Sequence, residues 1–299
     1  MSAQAALSVS RILSVDEVLA RIDNLPTLSQ VSFRVGEMIS DPRVGPREIA
    51  DAMRSDPSLS AKVLRLVNSS YYGIPGGVSD VVRAISFIGF NTLHQLVLSV
   101  AVMGSMRSTT GGVFDLKGLW LHALAVGVCA ETLARRTGHK DPGACFTAGL
   151  LHDVGKIALA NAEGERYMSA FEAAKSGGLS MSQAEREAGL PTHDLVGSRL
   201  ARRWKFPPLL LVPIEMHHGI DSERIRNELA LPLVNISDIV SIADAICRMY
   251  NIGNGGSAPP DPRLIPLNRL GLSHIHLEQI HSDLMRRLEL SKVFLELVG

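Results

Sequence analysis

Apolar residues recur along this chain at helical spacing, and the alternation expected of half-buried strands is hard to find. The segment Leu59 to Val67 reads as an amphipathic helix, and the most apolar stretch, Leu93 to Met106, reads as a buried one. A helix through Trp120 to Leu133 carries an inward stripe of Leu119, Ala125, Val126 and Cys129. Another, capped by Thr192, lines up Val196, Leu200 and Trp204, and a third runs from Leu209 to His218 and stops at Gly219. The expectation is an all-α protein, a compact multi-helix bundle.

Punctuation between these patterns is local. Asp41-Pro42, Asp56-Pro57 and Asp141-Pro142 have the form of helix starts, an aspartate cap with proline in the first turn, and Ser180-Met181-Ser182-Gln183 has the form of a capping box. Tyr71-Tyr72-Gly73 reads as a turn. Two stretches read as breaks: Ser105 to Phe114, with its Ser-Thr-Thr-Gly-Gly run, and Asn251 to Pro262, rich in Gly, Asn, Ser and Pro. They divide the chain into an N-terminal helical unit (14–107), a histidine-bearing helical domain (115–250) and a C-terminal helical extension (262–299).

Composition narrows the classes. At 299 residues and 46% apolar the chain can bury one large core or two adjoining ones. Thirty basic residues balance thirty acidic ones, so no net field draws it to nucleic acid or an anionic membrane. A DNA-reading pair of helices over Ile85 to Ser99 is not expected either, because the candidate second helix has no lysine or arginine. Met1 to Ser14 lacks the basic start and apolar run of a secretory signal. Leu93 to Met106 falls short of the roughly 20 apolar residues of a membrane span. Cys129, Cys145 and Cys247 sit widely spaced in apolar runs and read as reduced core thiols. A cytoplasmic protein is expected.

The chemistry lies in the histidines. His122, His152-Asp153, His193, His217-His218 and Asp244 form a plausible ligand set for a pair of transition-metal ions, since imidazole with a minority of carboxylate suits iron, manganese or zinc better than calcium or magnesium. Phasing on the helices above turns His122 and His193 inward and sets His217 and His218 within one turn of Ile214. One such histidine is ordinarily a satisfied core residue. Several on separate helices, with two aspartates in similar settings, are more economically explained by shared cations. Adjacent helical residues point about 100° apart, so His152 and Asp153 could straddle two ions with the aspartate bridging; Lys156, one turn on, would aim an ammonium near the site or, equally, stand as a solvated surface lysine.

The run Gly149 to Lys156, with His122 before it and Asp244 after it, resembles the HD superfamily of metal-dependent phosphohydrolases. More narrowly, the chain resembles the HDOD family, the HD-related output domains of bacterial signalling proteins. That match rests on Leu25-Pro26-Thr27-Leu28, Ser55-Asp56-Pro57-Ser58-Leu59, Leu64 through Gly73, Arg83-Ala84-Ile85 with Ile88-Gly89, Thr192-His193-Asp194, Trp204-Lys205-Phe206-Pro207 and His217-His218. The resemblance implies an HD-type bundle preceded by a packed N-terminal helical unit. Carried over from the cyclic-di-GMP phosphodiesterases of the superfamily, it implies two metal ions held by His122, His152, Asp153, His193, His217, His218 and Asp244, with Lys156 on the substrate side. Iron is the first expectation, then manganese or zinc. The Gly-Tyr-Pro motif of those enzymes is absent, since His218 is followed by Gly219-Ile220-Asp221, and Gly118 stands where some relatives carry an extra glutamate ligand.

Two functions are therefore weighed. In the first, the chain is a regulatory output module acting through contact with other signalling proteins. In the second, it is a metal-dependent phosphohydrolase, with Asp153 and Lys156 as catalytic candidates and a phosphorylated nucleotide as ligand.

Overall fold

A computed structural model describes residues 11–22, 28–39, 41–106, 114–219 and 223–297. Among them every regular element is a helix, as the apolar periodicity predicts. The first five are α1 (Val15–Ala20), α2 (Gln30–Ile39), α3 (Pro46–Arg54), α4 (Pro57–Val67) and α5 (Val81–Ser105). Next come α6 (Leu116–Arg136), α7 (Pro142–Leu151), α8 (Val154–Ala162), α9 (Gly164–Gly177), α10 (Met181–Glu187) and α11 (His193–Arg203). The last are α12 (Pro208–Met216), α13 (Glu223–Glu228), α14 (Leu231–Met249) and α15 (Leu277–Ser291).

Local chemistry accounts for most of the helix starts. Asp56 and Asp141 each accept the backbone N–H three residues on, from Leu59 and Ala144, and a proline fills the first helical position after each. Asp41-Pro42 departs from this pattern. Its carboxylate is taken by the backbone and guanidinium of Arg43, which makes a turn, and the helix begins only at Pro46. Ser180 caps Gln183 as expected, whereas Gln183 turns its own amide toward Glu187, so the reciprocal half of the box is absent. Ser14 and Glu17 form a complete capping box on α1.

Helix α6 is the axis of the histidine-bearing half and is almost wholly enclosed, packing against α7, α14 and α15. Helix α5 links the halves: α2, α3 and α4 rest on it, and it rests on α7. It is kinked at Gly89, whose φ of 76° turns the chain between two helical runs. Although first in sequence, α1 packs against α8 and α11. Both α5 and α6 have the length and apolar composition to cross a membrane, but 50% and 78% of their most apolar windows are buried against the rest of the fold. The three cysteines are free and enclosed. The Ser105 to Phe114 break, the Leu25-Pro26-Thr27 part of the first motif and Ile220-Asp221 lie wholly or largely outside the described residues, as do residues 1–10.

Candidate metal centre

Helices α6, α7, α8, α11, α12 and α14 converge so that seven side chains, His122, His152, Asp153, His193, His217, His218 and Asp244, meet in one cluster. All but His218 are buried. His152 and Asp153 do not lie within one helix, as the phasing argument assumes. They form the corner where α7 ends and α8 begins, and the sharp turn lets both side chains face the same interior point. The corner requires α8 to run tight against the start of α11. A Cβ on Gly155 would stand 1.9 Å from the carbonyl oxygen of His193, a separation that only glycine avoids.

Asp153 occupies the middle. Its Oδ2 is 3.2 Å from His152 Nε2 and 3.9 Å from His122 Nε2, while Oδ1 is 3.4 Å from His193 Nε2 and 3.6 Å from His217 Nε2. Asp244 Oδ1 joins the first group, 3.1 Å from His122 Nε2 and 3.9 Å from His152 Nε2. His218 Nε2 joins the second, 2.9 Å from His193 Nε2. The carboxylate thus stands between two sets of donors.

The rings are aimed from behind. His122 Nδ1 lies 3.2 Å from the carbonyl of Ile252, His152 Nδ1 2.6 Å from that of Gly149, and His217 Nδ1 2.9 Å from that of Ile214. A carbonyl can only accept, so each Nδ1 carries a proton and each ring turns its Nε2 to the interior. His193 Nδ1 is met at 2.8 Å by the enclosed carboxyl of Glu185, which also accepts the His193 backbone N–H. This is the carboxylate–histidine pairing that orients metal-binding imidazoles.

The fit to a cation follows from what these groups lack. His152 Nε2 and Asp153 Oδ1 are buried without a hydrogen-bond partner among the described residues. Nε2 of His193 and Nε2 of His217 face each other at 3.3 Å. Enclosed acceptors that converge without donors are costly, and a shared positive ion relieves them together. His122, His152 and Asp153 form one grouping able to hold a metal ion, and His193, His217 and His218 form another.

Charge in the cluster is strongly redistributed. Burial opposes ionisation of Asp153, yet His152 and Lys156 outweigh it and hold the carboxyl well below its ordinary range. Burial likewise opposes Asp244, and Arg248, with Nε 2.9 Å away, keeps it ionised. For His217, burial and the adjacent His218 drive the pKa far down, so that ring stays neutral. Glu185 goes the other way, pushed up to about 8 chiefly by burial.

Lys156 is not a solvated surface residue. Its ammonium is buried, 2.7 Å from Asp153 Oδ2 and 2.6 Å from the carbonyl of Gly255. The segment 251–256, expected as a break, instead covers the cluster: Ile252 holds His122, Gly255 holds Lys156, and a Cβ on Gly255 would lie 2.8 Å from His122 Nε2. On the side of His217 and His218 the cluster borders an open cavity of about 530 Å3 whose lining includes Arg186, Arg248 and Arg269. Ser182, also in that lining, is buried with an unpartnered hydroxyl.

Glu185, Arg248 and the two backbone carbonyls at 252 and 255 belong to the site and have no place in the sequence reading. For Glu185 a signal exists: it is an acid on the inward stripe of α10, one residue after Ala184 and one turn after Met181. Backbone carbonyls leave no such trace.

A family model described as the HDOD domain matches residues 25–220. An uncharacterized protein of Treponema pallidum (strain Nichols) is 27% identical over 212 residues; the match covers 67% of this chain and only 39% of that one. A crystal structure of an HDOD domain protein of unknown function from Geobacter sulfurreducens superposes with a TM-score of 0.75 at 26% identity, over 95% of this chain and 96% of that one. A Shewanella amazonensis protein described as a candidate phosphohydrolase has a TM-score of 0.69 at 23% identity, over 95% and 98% of the two chains, a likeness of fold.

Proposed function

The chain belongs to the HDOD domain family, and from that premise we propose that it is a bacterial signal-transduction module built around a dinuclear transition-metal centre. The reading rests above all on Asp153, whose two oxygens face separate groups of imidazole nitrogens. One ion would be held by His122, His152, Asp153 and Asp244, the other by Asp153, His193, His217 and His218. Imidazole-rich sites of this kind take iron, manganese or zinc, and iron is our first assignment.

Two such ions supply Lewis acidity and a water of lowered pKa. The protein's own residues do the rest. The Ile252, Gly149 and Ile214 carbonyls fix the proton on Nδ1 of three rings, Glu185 fixes the fourth, and Lys156 neutralises part of the Asp153 charge. The segment 251–256 keeps water from one side, while the arginines leave the other side attractive to an anion such as a phosphorylated nucleotide. Output would pass to another cytoplasmic signalling protein by direct contact, with the N-terminal helices as the docking face.

Metal analysis of protein purified without chelator tests the centre: about two transition-metal ions per chain are expected, and near-zero content would reject it. Hydrolysis is the second reading, favoured by the arginine-lined cavity against His217 and His218. Metal-replete protein is then incubated with bis(p-nitrophenyl) phosphate. Release of p-nitrophenol that Asp153→Ala abolishes would make the chain an enzyme.

A further inference from the structure

A second cavity, of about 580 Å3, opens where α5 meets α6 and α7, and it shares no lining residue with the arginine-lined one. Its walls are partly aromatic. Tyr72 comes from the turn after α4, Phe87 from α5 just before the Gly89 kink, and Phe146 from α7. Beyond the kink, Asn91 lies on the cavity with an exposed amide that no other side chain engages. Thr147 of α7 lies behind the wall, fully buried, with a hydroxyl that no described residue partners.

The charges are unequal in what they have left to offer. Asp141 already binds the Gln95 amide at 3.2 Å and caps Ala144 at 2.9 Å. Glu131 is taken up by Tyr71, Arg135 and Arg287. Lys140, exposed on the rim, has no acidic partner among the described residues. An incoming molecule therefore meets aromatic side chains, the Asn91 amide suited to the edge of a heterocycle, and one uncompensated cation. The volume falls within the ~300–1,000 Å3 typical of small-molecule sites.

We propose that this cavity binds a heteroaromatic anion of nucleotide size, its ring against Tyr72 and Phe87, its polar edge on Asn91, and its anionic group on Lys140. The site stands apart from the metal centre and does not depend on it. Phe146 and Thr147 lie on α7, which ends at the His152–Asp153 corner, so an occupant packs against a helix that positions metal ligands.

The test is calorimetric titration of the full chain, as purified, with GMP and with AMP. At least one should bind saturably at one site per chain. Lys140→Ala and Asn91→Ala, both exposed changes that spare the core, should each weaken that binding tenfold or more, while Arg186→Ala, an exposed change in the other cavity, leaves it within twofold. The proposal is overturned if neither nucleotide binds, if binding survives both Lys140→Ala and Asn91→Ala, or if Arg186→Ala removes it.

Discussion

Lys156 Nζ lies 2.7 Å from Asp153 Oδ2 with both side chains enclosed, so the carboxylate at the centre of the cluster already has one cation of its own. Removing one partner of a buried ion pair leaves an uncompensated charge. Lys156→Met should therefore destabilise the chelator-treated protein by about 3–5 kcal/mol. Added manganese should restore more stability to the variant than to the parent, because the ion takes over the neutralising role. Thermal unfolding with and without metal checks both parts; equal stability of the two proteins without metal would reject the pairing argument.

Asp153 faces both donor groups, whereas Asp244 and His193 each face one. Asp244→Asn and His193→Gln should each lower the metal content by about one ion per chain, and Asp153→Asn should remove both. Elemental analysis of purified variants reads this directly. Equal losses from all three would mean a single shared site.

Stability without metal should depend on pH through Glu185. Its pKa is raised from 4.5 to about 8, so the folded state resists the ionisation that the unfolded chain undergoes. The stabilising contribution is complete below about 4.5 and is lost as pH rises through about 8. The slope from this group cannot exceed about 1.4 kcal/mol per pH unit. Glu185→Gln, which cannot ionise, should flatten that part of the profile. Chemical denaturation of chelator-treated protein across pH 5–8 is the measurement, and an unchanged slope in the variant would count against the assignment.

Gly255 sits where a Cβ would come within 2.8 Å of His122 Nε2. Gly255→Ala should push either the ring or the covering segment aside, at a cost of about 1–3 kcal/mol. Metal content should fall with it. A variant of unaltered stability and full metal content would show that this segment does not cover the site.

The all-α architecture was legible because burial of helices leaves a 3.6-residue rhythm, which α4, α6, α11 and α14 carry plainly. The resemblance to the HDOD family was legible in short ordered motifs. Other features depend on contacts distant in sequence. Asp41-Pro42 has the same two residues as Asp56-Pro57, but Arg43 captures its carboxylate and α3 does not begin until Pro46. The His152–Asp153 corner lies in an unbroken apolar pattern in sequence, yet α7 ends at Leu151 and α8 begins at Val154, where Gly155 lets α8 pass close to α11. Lys156 could be read as surface or site, and its burial is decided by a carbonyl 99 residues away. Helical phasing singles out the inward histidines, and the inward acid Glu185 carries the same kind of signal.

The segment that covers the cluster also bears on when the site can come into being. A nascent chain extended through residue 220, the end of the family match, already contains six of the seven donors. It lacks Asp244, the carbonyl that aims His122 and the one that anchors Lys156. A metal centre here would thus be completed only once residue 255 has joined the chain, and a fragment trimmed to the family boundary would keep most of the bundle's helices with a centre it could not finish.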